Sequence, residues 1–287
     1  MRSEEEIKKL LLDYAVQDNR IRAVLLNGSR ANPEIVSDSL QDFDIVYIVD
    51  DLGSFTSDHS WVDFLGERLI TQLPDKMIYA GVDEQYRNIS FGYLMLFKDG
   101  NRIDLTLFPI QKIKTDFESD SLTIVWLDKD NLFTDLAPSG DVDYHIGKPT
   151  EQEFQEVCNE FWWICNNVSK GLLRKEITYA KDMTEKYLRP MFMKMIDWKI
   201  GIENNFSVSS GKAGKLMNRY VPGDLYEKIL QSYSNADIEE NWKSLFIMTE
   251  LFDQLSGEVS RNLNFRKNEE EQNNTIGYLQ HQYKAGH

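Results

Sequence analysis

With 287 residues and 41% hydrophobic side chains, the chain can build one large or two ordinary domains around a sizeable core, which excludes general disorder. Asp and Glu number 47 against 32 Lys and Arg, and the resulting charge of −15 argues against a nucleic-acid partner, whose phosphates need basic side chains. The same charge suits a cationic ligand, or simply solubility.

Ser3-Glu4-Glu5-Glu6 reads as a capping box opening a helix that runs to about Val16. Residues 21–26 read as a strand, apolar on both faces towards its end and so central in a sheet. Residues 27–41 read as turn and loop with room for a short helix, and 44–49 as a second strand. Trp61, Phe64, Leu65 and Leu69 recur at helical spacing, which predicts a helix over 61–73 stopped by Pro74. Two β-rich runs, 91–97 and 102–108, flank Lys98-Asp99-Gly100-Asn101, a strong hairpin signal. A short strand over 123–127 follows.

Strand-like runs stop near Pro138-Ser139-Gly140. Thr150-Glu151-Gln152-Glu153 is a second capping box, ahead of a stripe that includes Phe154, Phe161, Trp162 and Cys165. Further helices are expected over 176–200 with a kink at Pro190, and over 211–220, 225–233 and 238–263. The stretch from Lys267 is polar and is expected to be loosely held. The fold class predicted is α+β, a mixed sheet with helices over 1–145 and a helical bundle over 146–287, with the active site between them. Cys158 and Cys165 lie too far apart along one helix for a disulfide, which fits a reducing compartment. No run is apolar enough to span a membrane and no secretory pattern opens the chain, so a cytoplasmic protein without membrane contact is expected, as a monomer.

The chemistry is concentrated in the first half. Gly28 and Ser29 follow the first strand, and a turn there offers bare backbone N–H groups and a hydroxyl to a phosphate. Asp42 and Asp44 alternate with Phe43, so both carboxylates point the same way. Two adjacent carboxylates persist together when a cation lies between them. Asp104 is a lone carboxylate inside an apolar strand that a hairpin can bring beside Asp42 and Asp44. Mg²⁺ held by such oxygens can bridge triphosphate oxygens. The third carboxylate either completes a second metal site or accepts a proton from an attacking hydroxyl. Ser210-Gly211-Lys212-Ala213-Gly214-Lys215 places Lys212 and Lys215 at an expected helix start, where they either meet phosphate oxygens or are a solvated pair.

Four segments in the first half carry a resemblance: Leu26-Asn27-Gly28-Ser29-Arg30, Gln41-Asp42-Phe43-Asp44-Ile45, Asp99 to Leu107, and Leu127-Asp128-Lys129-Asp130. Four more lie in the helical half: Lys148-Pro149-Thr150, Asn159-Glu160-Phe161-Trp162-Trp163, Lys170 to Glu176, and Asn241 to Phe246. On these the chain resembles the nucleotidyltransferase superfamily typified by DNA polymerase β. More narrowly it resembles the aminoglycoside 6-adenylyltransferases, which inactivate streptomycin. Asn27 is a departure from the family's pattern, which has an acidic or other residue there.

The resemblance implies transfer of AMP from ATP, with Mg²⁺, to a hydroxyl of an aminoglycoside. Its first domain would be catalytic and its second would contribute to nucleotide and drug binding. Asp42 and Asp44 would hold the metal, and Asp104 would be a metal ligand or the general base. Gly28, Ser29 and Arg30 would face the triphosphate, and Lys212 and Lys215 resemble a Gly-Lys segment of related enzymes. Guanidinium-bearing drugs pair with carboxylates and aromatic faces, which makes Glu160, Trp163, Asp182 and Glu185 the acceptor-site candidates. Two rival readings remain: another acceptor, a protein side chain or an RNA end, and a nucleotide-binding regulator without catalysis.

Overall fold

The computed structural model describes residues 1–78, 89–118 and 120–286. The fold is α+β, and the chain divides into two compact units, Met1–Asp143 and the segment from Tyr144 onward.

The first unit is built on a mixed sheet of β1 (Ile21–Asn27), β2 (Phe43–Val49), β3 (Arg68–Gln72), β4 (Phe91–Phe97), β5 (Arg102–Pro109) and β6 (Thr123–Asp128). Its order is β3-β4-β5-β2-β1-β6, with β2 and β5 parallel and the other neighbours antiparallel. The central strands are apolar on both sides because both faces are covered. Helix α1 (Glu4–Gln17) packs Ile7, Leu11 and Ala15 against Ile45, Tyr47 and Leu105 on one face. The Tyr47 hydroxyl donates to the Leu11 carbonyl at 2.8 Å and fixes the helix on the sheet. On the other face Ala23, Leu25, Val46, Ile48 and Phe108 meet Ile110, Phe117 and Phe133. The single turns α2 (Gly53–Thr56) and α3 (Ile113–Asp116) lie in connections.

Several expectations hold. Ser3 caps α1 through both arms of a capping box, and the Asp99-Gly100 turn joins β4 to β5 with Gly100 at φ 89°. One does not. Instead of a helix over 61–73, a 3₁₀ segment Ser60–Leu65 ends at Gly66, and β3 then pairs with β4. Gly66 takes φ 113°, which no helix contains, and β3 leaves Leu69 and Ile70 exposed on the sheet edge.

The second unit is helical: α4 (Glu151–Leu173), α5 (Ile177–Met183), α6 (Arg189–Glu203), α7 (Gly223–Gln231), α8 (Ile238–Leu263) and α9 (Glu269–Ala285). Thr150 caps α4 by a second capping box. Phe161 of α4 stacks on Phe252 of α8 at 3.7 Å between centroids, with Trp162 edge-on to the same ring. The expected kink at Pro190 is a π-helical turn, Thr184–Leu188, that joins α5 to α6. Proline cannot donate to the preceding turn, and the wider turn accommodates that loss.

Two helical expectations are corrected. Residues 211–220 form two 3₁₀ turns, because Gly211, Ala213 and Gly214 all take positive φ. The segment from Lys267 is not loose: α9 is capped by Asn268, buries Leu279 fully, and the Tyr283 hydroxyl bonds Glu239 of α8. Cys158 and Cys165 are unbridged. No helix among the described residues is long and apolar enough to cross a membrane.

Candidate active site

Alternation along β2 and β5 puts Asp44 and Asp104 on the face opposite α1, and the parallel register makes them direct partners. Asp42 precedes β2 and joins them through Arg102. The Arg102 guanidinium bonds Asp104 through two nitrogens at 2.8 and 2.6 Å, and Nη1 reaches Asp42 Oδ2 at 3.3 Å. Arg102 and Asp104 are two apart on one strand, so they share a face. No role for Arg102 follows from the sequence patterns alone, although that spacing was the available signal.

Burial is the main cause that pushes Asp44 up to about 6, and the charges of Asp104 and Asp42 add to it. Burial also raises Asp42, Arg102 opposes that, and Asp104 raises it further. A partly buried cluster of like charges favours a bound cation.

Gly28 leaves β1 at φ 72° and starts the 3₁₀ turn Gly28–Ala31, which contains Ser29. A Cβ at Gly28 would lie 3.1 Å from Asp44 Cγ and closer still to Oδ2. Glycine is therefore required twice, for its backbone and for the carboxylate against it. Its N–H donates to the Leu122 carbonyl at 3.1 Å.

Arg30 is held within the protein. Its Nε donates to the Asp42 carbonyl at 3.1 Å, Nη2 to the Gln41 carbonyl at 2.8 Å and Nη1 to Glu4 at 2.8 Å. The guanidinium lies 3.9 Å from the Phe43 ring centroid, and its side chain is 6% exposed. Arg30 thus fixes the backbone that presents Asp42, rather than an outward cation.

Among the described residues no group of three or more His, Cys, Asp or Glu side chains is placed to hold a metal ion. Arg102 bridges Asp104 and Asp42 in this structure. The donor chemistry nevertheless fits Mg²⁺, which takes hard oxygens and is commonly held by one or two carboxylates plus substrate phosphates. The Gly28 cradle keeps Asp44 clear of side-chain bulk.

In the helical unit, Lys212 lines a cavity of about 580 Å³ with Lys148, Lys194, Asp197 and Ser210. Lys215 lies one residue beyond the Lys212–Gly214 turn, exposed. Trp163 is 66% exposed and lines a cavity of about 660 Å³ between α4 and α9, with Trp162, Asn166, Glu271 and Tyr278. Glu160 is half-buried on α4 outside that lining. Asp182 pairs with Lys186 at 2.5 Å, and Glu185 with Arg189 at 2.5 and 3.0 Å.

A carboxylate row on adjacent strands, next to a Gly-Ser turn, is the equipment of a nucleotidyltransferase. A family model described as streptomycin adenylyltransferase matches residues 1–282, and the chain belongs to that family of enzymes. An aminoglycoside 6-adenylyltransferase of Campylobacter jejuni is 43% identical over 267 residues, 93% of this chain and 91% of that protein. One from Bacillus subtilis (strain 168) is 39% identical over 93% of each. Among solved structures, a crystal structure of an aminoglycoside 6-adenyltransferase from Bacillus subtilis is 35% identical, covers 99% of both chains and has a TM-score of 0.48.

Proposed function

We propose that this enzyme transfers AMP from ATP to a hydroxyl of an aminoglycoside, the 6-hydroxyl of streptomycin, in a Mg²⁺-dependent reaction that inactivates the drug. The relatives' names support the aminoglycoside acceptor. The observation that carries the chemistry is the register pair Asp44 and Asp104 beside the Gly28 turn.

Asp42 and Asp44 would hold the cation, which when bound would neutralise charge on the triphosphate. Gly28 and Ser29 present the turn to the phosphates. Asp104 accepts the proton of the acceptor hydroxyl as its oxygen bonds to the α-phosphorus. The bond from that phosphorus to the bridging oxygen breaks, and pyrophosphate leaves with the electron pair. Arg102 orients Asp104, and Arg30 orients the backbone at Asp42. Within the helical unit, Lys212 and Lys215 are proposed as phosphate-binding cations.

Of the acceptor candidates, Trp163 offers an open ring face to a guanidinium, whereas Asp182 and Glu185 have cationic partners of their own. The net charge of −15 favours a cationic acceptor over RNA. Incubation of the enzyme with ATP, Mg²⁺ and streptomycin, followed by mass spectrometry, tests the proposal. The drug should gain one AMP, with stoichiometric pyrophosphate. Unmodified drug under conditions where a relative modifies it would refute the acceptor assignment.

A further inference from the structure

The carboxylate pair continues as a row across four strands. Thr123 of β6 is the register partner of Asn27 of β1, Asn27 of Asp44 of β2, and Asp44 of Asp104 of β5. Direct partners project to the same side of a sheet. The neighbours of the row place that side: Leu25, Val46 and Val125, each two residues from a row member, pack on the face away from α1.

The Asp44–Asp104 end of this row is charged, and Arg102 bonds Asp104 and Asp42 there. The other end is neutral. Thr123 is 5% exposed, and neither its Oγ1 nor Asn27 Oδ1 has a hydrogen-bond partner among the described residues. Buried polar atoms normally have partners, so two orphans side by side next to a metal-type carboxylate need a reason. Both are oxygens able to accept a hydrogen bond, and a threonine hydroxyl can also donate one. Two further contacts meet at this point: the Gly28 N–H is tied to Leu122, one residue before Thr123, and Gly28 packs on Asp44.

We propose that Asn27 and Thr123 are positioning residues that accept hydrogen bonds from the water shell of the divalent cation bound at Asp44. The proposal rests on the metal assignment above. Mg²⁺ parts reluctantly with its waters and usually keeps several, which need acceptors. Oxygens that hold such waters commonly change metal affinity by about 10- to 100-fold. Asn27 supplies its side chain at a place where a carboxylate would add a third like charge to the row, so a neutral oxygen is the compatible acceptor.

The test is Mn²⁺ titration into the full chain without nucleotide, with bound ion read from loss of the free-ion electron paramagnetic resonance signal. Thr123→Val keeps the shape and removes the hydroxyl, and Asn27→Leu removes the amide oxygen. Each should weaken Mn²⁺ binding by about tenfold. Thr123→Ser should restore wild-type affinity, which loss of packing alone would not predict. Thermal midpoints of Thr123→Val should match or exceed wild type, because an orphan polar atom is removed. Wild-type Mn²⁺ affinity in both Thr123→Val and Asn27→Leu would overturn the proposal. If Asp44→Asn binds Mn²⁺ as tightly as wild type, the metal assignment itself fails, and this inference falls with it.

Discussion

Asp44 and Asp104 are register partners on the parallel strands β2 and β5, so two carboxylates occupy one face of the sheet side by side. Burial first, then Asp104 and Asp42, push Asp44 up to about 6. A carboxyl raised above its unfolded value near 4 opposes folding when ionised. The opposition is absent below about pH 4 and is complete once the pH passes about 6. In metal-free buffer at pH 7.5, Asp44→Asn should therefore be more stable than wild type, by on the order of 2 kcal/mol. The difference should vanish towards pH 4. Thermal melts across a pH series in EDTA check this, and a destabilised Asp44→Asn at pH 7.5 contradicts it.

Asp104→Asn and Asp42→Asn should fail differently. Loss of a general base costs about 10²- to 10⁴-fold in rate, so Asp104→Asn should lose kcat by that factor and keep its KM for ATP. Asp42→Asn should raise the Mg²⁺ concentration needed for half-maximal rate as well as lowering kcat. Steady-state kinetics over a Mg²⁺ series separates the two, and an unchanged Mg²⁺ requirement in Asp42→Asn counts against its role as a ligand.

Gly28→Ala adds a Cβ against the Asp44 carboxylate at a backbone φ of 72°. The left-handed conformation alone costs about 1 kcal/mol or more for a residue with a Cβ, and the collision displaces Asp44. Activity should fall by at least two orders of magnitude while the far-ultraviolet circular dichroism stays native. Wild-type turnover in this variant would mean that the turn relaxes without moving Asp44.

Arg30→Lys tests geometry at constant charge. Lysine cannot hold the Asp42 and Gln41 carbonyls and Glu4 together in one plane as the guanidinium does. The urea midpoint should drop by an amount corresponding to about 1.5–3 kcal/mol, the range for hydrogen bonds to a charged group. Turnover should fall with it because Asp42 loses its anchor. A variant with native stability and lower kcat would instead assign Arg30 directly to the nucleotide.

The cysteines should be silent in the folded protein. Burial pushes the Cys158 thiol up to about 12 and raises Cys165 still further. Thiolate is the reactive form, so a thiol reagent at pH 8 should titrate neither group natively and both in guanidinium chloride. Rapid native labelling would show that α4 opens locally.

The candidate site was legible because its parts are local in the chain. Gly28-Ser29, Asp42-Phe43-Asp44 and the Asp99-Gly100 turn each carry their own short-range chemistry, and the two capping boxes mark helix starts at Ser3 and Thr150. The long α8 follows directly from its apolar period, with the bounds Ile238–Leu263. What stayed hidden depends on partners. Residues 61–73 have helical spacing, yet Gly66 breaks the run and β4 recruits β3 as an edge strand, exposing Leu69 and Ile70. The inward turn of Arg30 reflects the Phe43 ring and two carbonyls that no pattern displays. Thr123 and Asn27 became visible as neighbours of Asp44 only through strand register, which a single sequence does not contain. The polar composition of α9 concealed the fully buried Leu279.

The parallel pairing of β2 with β5 also sets when the site comes into being. The β4–β5 hairpin closes across a tight turn, an event on a scale of about 1–10 μs in isolated hairpins. Asp44 and Asp104 lie sixty residues apart and meet only when the chain between them has closed into a loop. Loop closure is paid before such contacts reward it, so this pairing is slower to form than the β4–β5 hairpin. During refolding, fluorescence and circular dichroism should recover ahead of turnover, and the competence to bind a cation should arrive with the turnover phase.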